Sequence, residues 1–86
     1  MKVWVFIEEG GVYEMRVRIN LDTMSSIRKF VNICSAEQGK IYLTDGNEFT
    51  VSARSILGAL ASLEFEELWC LSENDIYTKI QEFVVE

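Results

Sequence analysis

Ile41-Tyr42-Leu43-Thr44-Asp45-Gly46-Asn47-Glu48-Phe49-Thr50-Val51, running on into Ser52-Ala53-Arg54-Ser55-Ile56-Leu57-Gly58-Ala59-Leu60, carries two different periods side by side. In its first half, Lys40-Ile41-Tyr42-Leu43 and Glu48-Phe49-Thr50-Val51 flank Asp45-Gly46-Asn47. Two strand-forming runs around an Asp/Asn-Gly turn read as a β-hairpin. In its second half, Ser55 stands before Ile56, Leu57 and Leu60, which predicts a short helix over residues 55–62 with a serine at its start. A hairpin that feeds a short helix buries its apolar side only if the helix returns to one face of the sheet, so the stretch points to the α+β class.

The flanks extend this pattern. Thr23 is placed to cap a helix in which Met24, Ile27, Phe30, Val31 and Cys34 recur at the 3–4 spacing of an amphipathic face, ending near Gln38-Gly39. Upstream, Tyr13, Met15, Val17 and Ile19 alternate with Glu14, Arg16 and Arg18, as in a half-buried strand. Further upstream, Val3, Val5 and Ile7 alternate with Trp4 and Phe6, a strand apolar on both sides. Glu8-Glu9-Gly10-Gly11 supplies the turn that makes these two strands a hairpin. Downstream, Glu67-Leu68-Trp69-Cys70-Leu71 reads as a strand, and Ser72 with Asp75 resembles a capping box. A final helix follows, with Ile76, Ile80, Phe83 and Val84 on one face. The expectation is one domain over residues 1–86: an open-faced α+β sandwich, an antiparallel sheet with three helices on one face, and residues 1–9 as an extra N-terminal edge strand.

Composition narrows the function. The 86 residues are 49% hydrophobic and 12% aromatic, enough for a true core. A net charge of −6 argues against nucleic acid and against an anionic membrane surface, both of which select basic patches. Residues 1–7 are too short an apolar run for a signal peptide and no run reaches a bilayer span, so a cytoplasmic protein is expected. Cys34 and Cys70 fall on apolar-patterned segments and read as buried free thiols. With no histidine and only these two cysteines, neither a zinc site nor any other cofactor is expected.

From Val12 onward the chain resembles the phosphocarrier HPr family of the bacterial phosphoenolpyruvate-dependent sugar phosphotransferase system. The strongest match is Val51-Ser52-Ala53-Arg54-Ser55-Ile56-Leu57-Gly58-Ala59-Leu60, where the family has a basic residue, serine, isoleucine, a bulky apolar residue and glycine at the start of its short second helix. The hairpin over residues 41–51, Phe30-Val31 and Cys34-Ser35 also match. The departures fall on the family's active motif. Its phosphorylated histidine corresponds to Thr23, its assisting arginine to Ser25 and its proline to Ser26.

That loss bears directly on chemistry. Phosphohistidine transfer requires an imidazole that is both nucleophile and leaving group. A threonine ester is too stable to pass phosphate on, so Thr23 is expected to be a helix cap, with a phosphotransfer role as acceptor the least favoured reading. Ser25 and Ser26 beside Asp22 suggest nucleophilic catalysis, but no general base such as histidine is available to them. Glu64, Glu66 and Glu67 read as a solvated loop, not a metal site. The resemblance implies a regulatory role instead: in one branch of the family that lacks the histidine, the serine matching Ser55 is phosphorylated by an HPr-type kinase, and the product binds a transcription regulator. Arg54 is adjacent and is expected to be available to the phosphate; Ser52 is a second capping serine. The same resemblance makes Met24, Arg54, Ile56, Leu57 and Leu60 the candidate partner-binding residues, with Met24 and Leu57 expected to be the more exposed. The leading expectation is thus a non-catalytic protein acting by protein–protein contact. The alternative is a structural module that forms a homo-oligomer through its N-terminal strand.

Overall fold

The structure, a computed structural model, describes residues 15–85 in full and the backbone of residues 5–7 and 11–13. In chain order the elements are β1 (Val5–Ile7), β2 (Gly11–Tyr13), β3 (Met15–Arg18), α1 (Met24–Ser35), β4 (Ile41–Thr44), β5 (Thr50–Ser52), α2 (Ile56–Ala61), β6 (Trp69–Ser72) and α3 (Tyr77–Ile80). Single 3₁₀ turns, Ser62–Glu64 and Gln81–Phe83, follow α2 and α3.

Four strands form one antiparallel sheet in the order β3-β6-β4-β5. The register aligns Val17 with Cys70, Cys70 with Leu43 and Leu43 with Val51 in a row facing the helices. Alternation then sends the next row, Arg18, Trp69, Thr44 and Thr50, to the other side. The inward residues Met15, Val17, Ile41, Leu43 and Cys70 share a core with Ile27, Phe30, Val31 and Cys34 of α1, Ala59 of α2 and Ile80 of α3. Phe30 meets Phe83 edge to face at 5.4 Å, tying α1 to the turn after α3. On the outer face the Arg16 guanidinium lies 4.0 Å from the centre of the Trp69 ring. The expected α+β sheet with three helices is therefore present.

Two glycines are fixed by geometry. Gly46 has φ +81°, a left-handed position in the β4–β5 turn that favours glycine. Gly58 sits where α2 crosses β5, and a Cβ there would lie 2.9 Å from the Ser52 carbonyl oxygen. The spacing of helix and strand depends on that missing side chain.

Three expectations need correction. The last helix is only one turn long. Ile80 and Phe83 are buried as the pattern required, but Val84 leaves the helix and bridges Ile19. Asn20 N–H donates to the Phe83 carbonyl at 2.8 Å, and Val85 N–H to that of Arg18 at 2.9 Å. β-Branched Val84 and Val85 continue the sheet alongside β3, which satisfies backbone groups a longer helix would leave open. Second, Ser72 and Asp75 do not form a capping box, because α3 begins four residues later than such a box demands. Ser72 Oγ accepts from Asn74 N–H at 3.1 Å, while Asp75 Oδ1 accepts from Tyr77 N–H at 3.1 Å. Third, the N-terminal strand is not an edge of the main sheet. β1 pairs antiparallel with β2, Val5 opposite Tyr13, in a separate two-stranded sheet. The rest of that expectation, on Val3, Trp4 and the turn at Glu8, Glu9 and Gly10, lies outside the described residues.

Candidate functional site at the starts of the first two helices

The two helices that should carry the site start differently. Thr23 has the extended backbone of an N-cap, with φ −131° and ψ 158°. Its Oγ1 accepts from Ser26 N–H at 3.0 Å, and Ser26 Oγ faces back to the Thr23 N–H at 3.1 Å and the Thr23 carbonyl at 2.8 Å. Ser26 thus closes a reciprocal cap. The first turn of α1 is a finished structure, and Thr23 is its cap as expected. Asp22 and Ser25 are exposed beside it.

Ser55 caps α2 alone. Its Oγ accepts from Gly58 N–H at 3.0 Å, and its side is half-buried. Ser52 does not share the duty: its Oγ accepts from Arg54 N–H at 3.2 Å instead. No hydrogen bond donated by the Ser55 hydroxyl is found among the described residues.

Arg54 is the principal revision of the predicted site. Its guanidinium turns away from Ser55 and onto the end of α1, where Nε donates to the Cys34 carbonyl at 3.1 Å and a second nitrogen donates to the Glu37 carbonyl. The last carbonyls of a helix have no partners within it, and a cation there also meets the negative end of its dipole. Lys79 reaches the same place, 2.6 Å from Glu37 Oε2. Arg54 and Lys79 together clamp the end of α1 to the β5–α2 turn and to α3. The sequence contained this signal only as two cations far apart in the chain, so their convergence was not legible.

The apolar candidates separate into two pairs. Leu57 is 79% exposed and Met24 44% exposed, as expected. Ile56 and Leu60 are half-buried and packed against the core, so they hold α2 down more than they offer a surface. α1 and α2 pack against each other, and Arg54, just before α2, reaches the end of α1. Glu64, Glu66 and Glu67 are all exposed, as a solvated loop requires.

Both thiols are sequestered. Burial pushes Cys34 up to about 12, with the Arg54 charge working the other way and Glu37 adding to the rise. Burial also raises Cys70 strongly. Neither is a nucleophile near neutral pH. Among the described residues no helix is long and apolar enough to cross a membrane.

No family model matches this chain, and neither a curated protein nor a solved structure matches it. The class that the fold defines is α+β, a four-stranded antiparallel sheet with three helices.

Proposed function

We propose that this chain is a non-catalytic HPr-like protein that acts by binding another protein, with phosphorylation of Ser55 as its control. The observation that carries the reading is the pairing of Ser55, the half-buried cap of α2, with Leu57, 79% exposed two residues further along the same short helix. A helix that buries Ala59 completely while leaving Leu57 in water presents a small apolar contact beside a modifiable hydroxyl. No imidazole exists in the chain to relay a phosphoryl group, and a threonine ester is too stable to pass phosphate on.

A phosphate on Ser55 would add roughly −1.5 to −2 charge units beside that contact, enough to change which partner it accepts. Because Arg54 is committed to α1, the phosphate's cationic counterpart would come from the partner. A cytoplasmic HPr-type kinase as modifier and a transcription regulator as partner follow from the family resemblance. The test is intact mass and peptide mapping after incubation with ATP and an HPr kinase. A single phosphate on Ser55, lost in Ser55→Ala, is expected. An unmodified chain beside a modified HPr control, or a phosphate that persists in Ser55→Ala, would overturn the reading.

A further inference from the structure

A second surface lies away from these residues. The tip of the β4–β5 hairpin and the loop before β6 enclose a cleft of about 510 Å³ lined by Asp45, Asn47, Phe49, Glu64, Phe65, Glu66 and Glu67. None of Met24, Arg54, Ser55, Ile56, Leu57 or Leu60 lines it.

The cleft is built from two aromatic rings and a rim of carboxylates. Phe49 and Phe65 stack with centroids 6.2 Å apart and planes 18° from parallel. Phe65 is half-buried against the core, whereas Phe49 is 58% exposed. One ring is therefore anchored and the other lies open to water. The floor is held in shape by backbone bonds. Asp45 Oδ1 accepts from Asn47 N–H at 2.8 Å and Phe49 N–H at 3.2 Å, and Thr44 Oγ1 donates to the Phe49 carbonyl at 2.8 Å. Around the rings, Glu67 has Arg18 as a loose exposed neighbour at 3.8 Å, while Glu64 and Glu66 have no ion-pair partner among the described residues. Among those residues no three carboxylates gather closely enough to hold a metal ion. The negative charge is spread along the cleft, not focused on a point.

We infer that this cleft is a docking site for an arginine-containing basic segment of a partner protein. Charge complementarity selects the sign of the occupant, since the charged residues of the lining are all acidic and the whole chain carries −6. The open phenyl pair selects its shape: a planar guanidinium stacks on an aromatic face while its N–H groups reach flanking carboxylates. Spread carboxylates suit an extended peptide with more than one cation better than a single small amine.

The experiment is an amide-resolved NMR titration of the full chain with a short arginine-rich peptide and with the same peptide carrying glutamine at every arginine. The arginine peptide is expected to shift residues 45–49 and 64–67, and the glutamine peptide to leave them unmoved. Phe49→Ala is expected to weaken binding about two- to fivefold, the loss of one exposed cation–π contact. The double variant Glu64→Gln, Glu66→Gln is expected to weaken it by a similar factor or more, and carries the test alone if Phe49→Ala fails to fold. Shifts centred elsewhere, equal response to the glutamine peptide, or unchanged affinity in the double glutamine variant would overturn the proposal. Loss of this binding would leave Ser55 phosphorylation untouched, so the two readings fail separately.

Discussion

The first and second helices cap themselves with similar residues and are held in opposite ways. α1 runs for 12 residues, buries Ile27, Phe30, Val31 and Cys34, closes its start with a reciprocal Thr23–Ser26 pair and has its end clamped by Arg54 and Lys79. α2 runs for 6 residues, fully buries only Ala59 and starts on a single bond to Ser55. The difference teaches where function can sit. A helix closed at both ends and buried along one face is committed to holding the fold. A short helix with one bond at its start can expose a side chain and accept a modification without dismantling the core.

Anchoring gives the largest expected contrast. Phe30→Ala removes a fully buried ring and should cost about 3–5 kcal/mol in urea unfolding. Leu57→Ala on α2 should change stability by no more than about 0.5 kcal/mol. A comparable loss at both would erase the distinction between a holding helix and a presenting one. Gly58→Ala comes next. Alanine gains about 1 kcal/mol in helix propensity. Its Cβ, however, would meet the Ser52 carbonyl oxygen at 2.9 Å, and overpacking against backbone costs about 1–3 kcal/mol. The clash should win, with net destabilisation and amide shifts confined to β5 and α2; a stabilised variant would mean that α2 floats freely over the strand. The caps give an effect of similar size and the sharpest comparison. Thr23→Ala and Ser55→Ala should each fall within about 0.5–2 kcal/mol, Thr23→Ala the higher because it breaks a reciprocal pair. A larger loss at Ser55 would show that α2 depends on its cap more than its single bond implies.

Much of this architecture was legible because its signals are local. Ile27, Phe30, Val31 and Cys34 are spaced for one helix face, and all four are buried. Asp45-Gly46-Asn47 turns where turn chemistry demands, and Ser55 and Thr23 cap where they stand. What was missed depends on partners distant in the chain. Ile80 and Val84 fit a helical period, yet Val84 follows the open backbone of Ile19. Arg54 stands next to Ser55 in sequence, but the Cys34 and Glu37 carbonyls at the end of α1 draw its guanidinium. Phe49 and Phe65 lie on separate loops that only the folded sheet brings into stacking, so the acidic loop read as solvated side chains gained a wall that no period could announce.

β6 pairs with β3 on one side and β4 on the other, although it is the last of the four strands to occur in the chain. The ladder cannot therefore grow outward from its first strand. β4 and β5 can meet early across their short turn, but β3 has no neighbour in the sheet until residues 69–72 slot between the two halves. Closing the loops that bring those residues together is an entropic barrier met late, and contacts of such long sequence separation slow folding. Until that insertion happens, the facing edges of β3 and β4 remain open to other chains, which makes the arrival of Trp69-Cys70-Leu71-Ser72 the step that sets both the speed and the hazard of folding.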